Sequence, residues 1–331
     1  MEIPHKRDSP PAGFTLRPAQ ESDIPAIIAL MGAYDASFNY VVMSYDSDDI
    51  LSDWNELTRE TDTWAITAPD GALAAYATLT DEGLGQIAAD GYVHPNWRER
   101  GLGGLILRLT EARARDLIAD APEGARVTLL NSVVAEDTAA QKLLAAEGYT
   151  RARVFWRMRI ELSEEPAPPI WPDGTHVRSY DPQRDARAVY ELVETAFGDH
   201  WGHTPQTFEE WMARIDRDAF DPTLWLLAES DEGELVAVAL CRRLGGQGWV
   251  RTVATARAWR NRGLARALLL HSFGEFWRRG ERVIGLGVDS QSLTGATRIY
   301  ESVGMWPEMR IMTYEKTLRD GEQLVVRSLE Q

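Results

Sequence analysis

The chain has 331 residues, of which 44% are apolar, and it carries a formal net charge of −16 at pH 7. This length and composition are typical of two globular domains that each bury a core. The excess of acidic residues argues against nucleic acids and anionic membranes as partners, because both are bound through clustered Lys and Arg.

Cysteine use and apolar runs indicate the environment of the protein. Cys241 is the single cysteine, so the chain has no disulfide framework, which is typical of a reducing compartment. Residues 1–14 contain no apolar run of the kind found in secretory signals. No stretch reaches the roughly 18–20 apolar residues of a membrane span. We therefore expect a soluble, cytoplasmic protein.

Strand and helix patterns alternate along the first half. A hairpin is indicated at 63–79, where the turn signal Pro69-Asp70-Gly71 separates two apolar runs. The other predicted elements are, in chain order, a strand at 14–17, a helix at 21–36, a partly helical stretch at 40–60, a strand at 86–93, a helix at 103–118, a strand at 125–133, a helix at 138–146 and a strand or strand pair at 153–161.

The second half repeats this order. Its predicted elements are a strand at 176–179, a helix at 183–196, a partly helical stretch at 203–219, a hairpin at 224–240, a strand at 248–255, a helix at 264–278, a strand at 282–288, a helix at 293–302 and a strand at 309–317. Both halves are therefore predicted to be α/β with a mixed sheet.

Matched landmarks indicate a duplicated unit. The pairs Arg17/Arg178, Gly101/Gly263 and Gly148/Gly304 are separated by 161, 162 and 156 residues. This spacing is too long for a solenoid repeat and indicates two tandem domains. We predict a flexible tail at 1–12, an N-terminal domain at 13–161, a Pro-rich and acidic linker at 162–174, and a C-terminal domain at 175–331.

A glycine-rich string occurs in each half, WRERGLGG at 97–104 and WRNRGLAR at 259–266. Each string follows a predicted strand and opens a predicted helix. The first N–H groups of a helix lack partners within the helix and carry partial positive charge, and glycine lets the backbone approach a ligand closely. This pattern indicates a phosphate or pyrophosphate site; the alternative is a left-handed turn with solvated arginines. The spacing matches neither a P-loop nor a Rossmann fingerprint.

The strings resemble the R-x-x-G-x-G/A acyl-CoA signature of the GNAT acetyltransferases. The segments EDTAAQKLLAAEGY, 136–149, and RIYESVGM, 298–305, resemble the closing helix and glycine of that family. The resemblance covers 14–161 and 175–317. It implies two tandem GNAT-like domains, each a mixed, twisted sheet flanked by helices.

The resemblance also implies acetyl-CoA as the cofactor. The loop amides would hold its pyrophosphate, and the preceding strand would offer backbone groups to the pantetheine at 91–93 and 253–255. The residues that the resemblance assigns to cofactor binding are Val93, Arg98, Glu99, Arg100, Gly101, Leu102, Gly103 and Gly104 in the first half, and Val253, Ala254, Thr255, Arg260, Asn261, Arg262, Gly263, Leu264, Ala265, Arg266 and Ser292 in the second. Asp137 and Ser292 stand where the family often has a cofactor-binding Asn.

The two halves differ at the position from which the family supplies a general acid. Tyr300, four residues before Gly304, matches that position, whereas the first half has Leu144 before Gly148. A tyrosine can protonate a leaving thiolate, and leucine cannot. We therefore expect the C-terminal domain to be catalytic, and the N-terminal copy either to retain CoA binding or to brace its neighbour. The alternative for Tyr300 is a core aromatic.

A general base is less clearly indicated. Asp199 and His200 lie where the family shapes its acceptor pocket, and His200 has a suitable intrinsic pKa; the alternative is a surface loop. Asp289, at a strand end, is a further candidate. His200 and His203 lack the spacing of a metal motif, so we predict no metal site. Arg251 stands where the family often carries an acid, which points to an acidic acceptor group instead.

The sequence therefore predicts an N-acetyltransferase that moves an acetyl group from acetyl-CoA to the amine of a small-molecule acceptor by direct attack. The acidic chain favours a cationic acceptor through electrostatic steering. We expect a monomer whose two domains mimic a dimer. The alternative function is a catalytically silent acyl-CoA-binding or regulatory protein.

Overall fold

The computed structural model describes residues 9–40, 47–55, 57–217, 220–244, 246–292 and 295–327. Parts of the predicted tail and of the partly helical stretches, at 1–8, 41–46, 56 and 218–219, lie outside these residues. The chain forms two compact units. Unit 1 consists of Met1–Val154 and Ile311–Val325, and unit 2 consists of Phe155–Arg310 and Val326–Gln331.

The elements of the N-terminal half follow the predicted order. They are β1 (Thr15–Arg17), α1 (Ile24–Ala36), α2 (Ser47–Trp54), α3 (Arg59–Asp62), β2 (Thr63–Thr67), β3 (Leu73–Gly83), β4 (Gln86–Val93), α4 (Leu102–Asp116), β5 (Val127–Val134), α5 (Thr138–Ala146) and β6 (Thr150–Glu161).

The C-terminal half repeats that succession of strands and helices. Its elements are β7 (Thr175–Ser179), α6 (Ala186–Phe197), α7 (Phe208–Arg217), β8 (Trp225–Ser230), β9 (Leu235–Leu244), β10 (Gln247–Thr255), α8 (Leu264–Arg278), β11 (Val283–Asp289), α9 (Ala296–Ser302) and β12 (Trp306–Arg319). The predicted helix at 293–302 begins later, at Ala296, and residues 293 and 294 are outside the described chain.

Both units contain a mixed sheet of the same pattern. In unit 1 the strand order is β1-β2-β3-β4-β5-β12, and in unit 2 it is β7-β8-β9-β10-β11-β6. The pairs β4–β5 and β10–β11 are parallel, and the other pairs within each unit are antiparallel. The predicted architecture, α/β with a mixed sheet in each half, is therefore confirmed.

The final strand of each sheet comes from the other half of the chain. Residues 311–319 of β12 pair with β5, and residues 155–161 of β6 pair with β11. The compact units therefore differ from the predicted consecutive domains at 13–161 and 175–331. The physical reason is that β5 and β11 each need an antiparallel neighbour to satisfy their outer backbone groups, and a strand from either half can supply it.

Helices cover both faces of each sheet. In unit 1, Leu105 and Ile106 of α4 pack against Ala75 and Ala77 on one face of β3, whereas Tyr76 between them faces α1. This alternation is the two-residue period of a half-buried strand. In unit 2, α8 packs on Ala237 and Ala239 of β9, and α6 and α7 pack on the opposite face. None of the described helices has the length and apolar character needed to cross a membrane.

Candidate active site

In each unit the parallel strand pair separates partway along its length. β10 pairs with β11 at Gly248 and Trp249, and then continues to Thr255 without further pairing on that side in the described chain. β4 pairs with β5 at 86–89 and continues to Val93. Beyond these points, residues 253–255 of β10 and residues Gly91 and Val93 of β4 have no parallel neighbour in the described chain, so their backbone groups on that side can bind a ligand. The predicted pantetheine segments, 253–255 and 91–93, both lie there.

β10 contains a bulge that β4 lacks. Its register with β9 shifts between Val250 and Thr252, so Arg251 is an extra residue. β10 accordingly has 9 residues and β4 has 8. The shift between β3 and β4 lies instead at their hairpin, between Asp81 and Gly83. A bulge bends its strand and re-aims the neighbouring groups, and bulges are common beside active sites.

The two glycine-rich loops have matching backbone conformations. Glu99 and Gly101 have φ angles of 61° and 79°, and Asn261 and Gly263 have φ angles of 62° and 92°. A left-handed conformation at Glu99 is strained, by about 1–2 kcal/mol, whereas Asn261 adopts it more readily because asparagine is one of the few residues that tolerate this region. Such strain persists where the surrounding structure holds it, often at ligand sites.

Each loop leaves amide N–H groups at the start of its helix unused. The first helical hydrogen bonds run from Leu105 N to Gly101 O and from Ala267 N to Gly263 O, both at 3.0 Å. No described side chain caps either helix. A Cβ atom at Gly101 or Gly263 would meet no atom within 4 Å. The amides at 102–104 and 264–266 therefore have neither a helical nor a capping partner in the described chain, and such a helix start suits an anion.

The loop arginines contact protein groups. Arg98 donates to Ser37 Oγ at 2.8 Å, and Arg260 donates to the carbonyl oxygen of Ala196 at 3.4 Å. Both thus tie the loop to the end of the first helix of their half. Arg100 and Arg262 lie over the rings of the preceding tryptophans, at 4.9 and 4.5 Å from the ring centres. Because Arg100 and Arg262 are exposed, their charge remains within reach of a ligand in solvent.

Tyr300 and Leu144 occupy equivalent positions. Each is followed four residues later by a glycine with positive φ, Gly304 or Gly148, and each accepts a hydrogen bond on its carbonyl oxygen from the residue after that glycine. Leu144 is buried in the core. Burial raises the pKa of Tyr300 to about 12, so its hydroxyl is protonated at neutral pH.

The predicted acceptor-side residues Asp199 and His200 follow α6. Asp199 pairs with exposed Arg257 at 3.2 Å. The His200 ring packs against Phe197, with ring centres 4.4 Å apart. Burial lowers the pKa of His200, against the opposing effect of Asp199 and Asp289, so its imidazole is neutral at pH 7.

Ser292 and Asp137 lie in different local structures. Asp137 caps α5 by accepting a hydrogen bond from Ala140 N at 2.9 Å. Ser292 belongs to a turn after β11, and Gly295 is the residue that precedes α9. Among the described residues, no group of three His, Cys, Asp or Glu side chains is placed to share a metal ion.

Unit 1 fills the space beside its split strand with tyrosines. The Tyr34 hydroxyl donates to Asp137 at 3.1 Å, and its ring meets that of Tyr92 edge-on, with ring centres 5.4 Å apart. The corresponding residues of unit 2 are both alanine. The Ala196 carbonyl oxygen accepts a hydrogen bond from Arg260, and the Tyr34 ring lies beneath the equivalent Arg98. Ala254 and Tyr92 are each the last residue but one of their strand.

A cavity of about 190 Å³ lies in unit 2 between α6, α7, β8, β9 and β10. Glu194 and His203 both line it and contact each other, with 3.3 Å between Oε2 and Nε2. Sequence reasoning missed this pair because its members lie on different elements, and it weighed His203 only as a metal ligand. The one sequence signal was an acid on α6 beside the apolar residues Val193 and Phe197, which also line the cavity.

A mixed sheet with a split parallel pair, leading into a helix start that suits an anion, is the arrangement of an acyl-CoA-dependent acyltransferase. The family model described as "Acetyltransferase (GNAT) family" matches residues 186–305. Proteins named mycothiol acetyltransferase from Thermobispora bispora and Kineococcus radiotolerans are 33% and 35% identical over 70% and 71% of this chain, and over 75% of each relative. The chain belongs to the GNAT acetyltransferase family.

Solved structures extend this similarity to both units. A GCN5-related N-acetyltransferase from Sphaerobacter thermophilus has a TM-score of 0.86 and 36% identity, covering 96% of this chain and 99% of that one. A tandem GNAT protein from the clavulanic acid biosynthesis pathway has a TM-score of 0.70 and 18% identity, covering 93% and 100%, and it supports the fold alone. The tandem layout also resembles that of mycothiol synthase. The chain is therefore an acyltransferase with two GNAT domains.

Proposed function

We propose that unit 2 transfers an acetyl group from acetyl-CoA to the amine of a small-molecule acceptor by direct attack. One observation carries this proposal: β10 combines the strand split, the bulge at Arg251 and the open loop before α8, and Tyr300 lies in the same unit. Unit 1 has the split and the loop, but it has Leu144 in place of the tyrosine.

The residues of unit 2 fit the family's donor, acetyl-CoA. The unused amides at 264–266 would bind the pyrophosphate, with Arg262 adding positive charge. The unpaired edge of β10 at 253–255 would bind the pantetheine amides. An N–H group of that edge, near the thioester carbonyl, would stabilise the oxyanion that forms when the amine attacks.

Proton transfer completes the reaction. When the carbon–sulfur bond breaks, the thiolate needs a proton, and Tyr300 holds one at neutral pH because burial raises its pKa. On the acceptor side, His200 is available as a base because burial lowers its pKa. Asp199 would keep the loop in place through its pair with Arg257.

The first acceptors to test are mycothiol-related amines, because the relatives with 33–35% identity carry the name mycothiol acetyltransferase. The net charge of −16 favours encounter with a cationic amine. We further propose that the protein acts as a monomer in the cytoplasm.

The test is acetyl-CoA-dependent release of free thiol with a panel of amines, with product mass as a second readout. The proposal predicts turnover and a mass increase of one acetyl group on the amine. Tight CoA binding without turnover on any amine would instead support a silent acyl-CoA-binding protein.

A further inference from the structure

The cavity of unit 2 has the composition of a binding site for an organic cation. Phe197, Trp211 and Trp225 contribute aromatic surface to its lining, and Glu194 contributes a carboxylate. Aromatic faces attract ammonium groups, and more strongly when the cation leaves water. A carboxylate beside aromatic rings therefore favours an amine over a neutral guest, and Arg251, which also lines the cavity, is compatible with an acidic group elsewhere on the same acceptor.

The Glu194–His203 pair is poised to bind and deprotonate such a guest. Its side chains are 21% and 16% exposed, so the pair is held largely away from solvent. His176 and Glu229 form a similar pair at 3.2 Å, but the His176 side chain is 54% exposed and on the surface. The pair at the cavity therefore combines an imidazole, a carboxylate and a partly enclosed space.

Another group that lines the cavity lacks a hydrogen-bond partner in the described chain. The hydroxyl oxygen of Thr204 is buried and has no hydrogen-bond partner among the described residues. Buried polar atoms in native proteins nearly always have a partner, from the protein, water or a ligand. A polar group on an entering molecule would satisfy this hydroxyl.

The cavity's size and position limit what it can hold. Its 190 Å³ is below the roughly 300–1,000 Å³ of sites for drug-sized ligands, so it suits a compact group. Arg251 and Thr252 of β10 form part of its wall. Thr252 directly precedes Val253, the first residue proposed to bind pantetheine, so the cavity adjoins the expected thioester position. Neither Asp199 nor His200 contributes to the lining.

We propose that this cavity receives the compact, amine-bearing end of the acceptor, where Glu194 binds the ammonium group and His203, in place of His200, accepts its first proton. This inference rests on the proposed acetyl transfer. The amine nitrogen then forms a bond to the thioester carbonyl carbon, and the carbon–sulfur bond breaks. The second proton of the nitrogen reaches the sulfur by way of Tyr300, and His203 releases its proton to water.

The experiment uses the full chain with saturating acetyl-CoA and an acceptor that the wild type acetylates. Glu194→Gln is expected to raise the acceptor KM at least about tenfold, because it removes a charge-assisted hydrogen bond. His203→Gln is expected to lower kcat about 100-fold, the lower range for a general base. Glu191→Gln, an exposed acid on the same helix, and His176→Gln, from the surface pair, are the matched controls and leave both constants unchanged.

A binding measurement tests the cavity without turnover. In the presence of CoA, benzylamine is expected to bind the wild type in calorimetry, and Glu194→Gln is expected to weaken that binding at least about tenfold. Unchanged kinetics in both cavity variants, or no benzylamine binding to the wild type, would overturn the inference while leaving acetyl transfer intact. Failure of the wild type to bind acetyl-CoA would instead overturn the proposed function. Equal acetyl-CoA affinity across the variants shows that each is folded.

Discussion

β4 and β10 hold the same place in their sheets, and each leads into a loop with left-handed residues at equivalent positions, yet their surroundings differ. Beside β4, the Tyr34 and Tyr92 rings pack together, and Asp137 is held by the Tyr34 hydroxyl. Beside β10, the corresponding positions are Ala196 and Ala254, and the strand carries a bulge. The loop is therefore retained in both units, while the side chains that fill or open the gap are not.

Some features are kept in both units, and others occur in one unit alone. Left-handed residues and a free helix start are kept in both loops, at a cost in backbone strain. Large rings that stabilise unit 1 by burial would obstruct a substrate in unit 2. A duplicated chain can thus place its packing in one copy and its chemistry in the other.

The largest expected effect is the fall in kcat when the proposed general acid, Tyr300, is replaced. Tyr300→Phe is expected to lower kcat by at least about 100-fold with little change in the KM for acetyl-CoA, because only proton donation to the thiolate is lost. The measurement is steady-state thiol release. Tyr34→Phe, which removes a buried hydroxyl from unit 1, is the matched control and leaves turnover unchanged. A Tyr300→Phe variant with wild-type kcat would contradict the acid assignment.

The pH dependence sharpens the same point. The acid must be protonated, and burial raises the pKa of Tyr300 to about 12, so loss of its proton should reduce kcat only as the pH approaches that value. A base must be deprotonated, and burial lowers the pKa of His200 below 6.5, so its protonation should reduce the rate only on the acid side of 6.5. A rate that falls as the pH rises from 7 to 9 would contradict Tyr300 as the acid, and a rate that falls as the pH decreases from 9 to 7 would contradict His200 as the base.

Packing beside the split strand gives the next effect. Tyr34→Ala is expected to reduce the free energy of unfolding by about 3 kcal/mol or more, because it empties a buried aromatic site and removes the hydroxyl that donates to Asp137 Oδ2. Urea unfolding measures this change. At temperatures where the variant is folded, turnover should match the wild type; a fall in specific activity would show that unit 1 takes part in catalysis.

Equivalent substitutions at Gly101 and Gly263 distinguish an effect on acetyl-CoA binding from an effect on stability. Gly101→Ala and Gly263→Ala each place a side chain in the left-handed region, so each should lose about 1–2 kcal/mol of stability. Gly263→Ala should also raise the KM for acetyl-CoA severalfold, because a shifted loop misaligns the amides. An equal rise in Gly101→Ala would mean that transfer is not confined to unit 2.

The last comparison concerns the arginines near the start of each half, which affect stability alone. Arg17 pairs with Asp23, whereas Arg178 pairs with both Asp185 and Glu229. The Arg178 side chain is 22% exposed and that of Arg17 is 38% exposed, so Arg178→Met should cost about 1–3 kcal/mol and Arg17→Met about 1 kcal/mol or less. Chemical denaturation at pH 7 compares them.

These ion pairs also make the stability of the folded protein depend on pH in the acid range. Hydrogen bonds from the arginines lower the pKa of Asp23 and Glu229, and for Asp185 the bonds from Arg178 and its neighbours outweigh the opposing effect of burial. A carboxyl whose pKa is lower in the folded state stabilises the protein above its unfolded pKa of about 4, and that contribution is lost as the pH falls through the folded value. The difference between wild type and Arg178→Met should therefore shrink below pH 4, and a constant difference would contradict this.

Much of the fold was predictable from the sequence because it depends on local patterns. The strand at 86–93 and the helix at 264–278 were predicted at their observed bounds, since turn residues and glycines mark their ends. The exchange of β6 and β12 was not, because an alternating strand pattern specifies a buried face and not a partner.

The candidate site divides in the same way. The two loops could be predicted because their glycines and arginines are contiguous in the sequence. The bulge at Arg251 was missed, because the sequence patterns predicted two strands of equal length, at 86–93 and 248–255, whereas β10 is one residue longer than β4. The Glu194–His203 pair could not be predicted, because only the packing of α6 against the following loop brings the two side chains together. The contrast between Tyr34 and Ala196 could not be predicted either, because it depends on how the first helix of each half packs beside the split strand.

The central claim is that the gap beside β10 and the loop before α8 bind the acetyl donor for transfer. A crystal structure of the chain with acetyl-CoA tests it most directly. The account predicts the pyrophosphate at the amides of 264–266, the pantetheine along 253–255, and the thioester beside Thr252 and Tyr300. A structure with that gap empty or closed, or with acetyl-CoA bound in unit 1 alone, would contradict it.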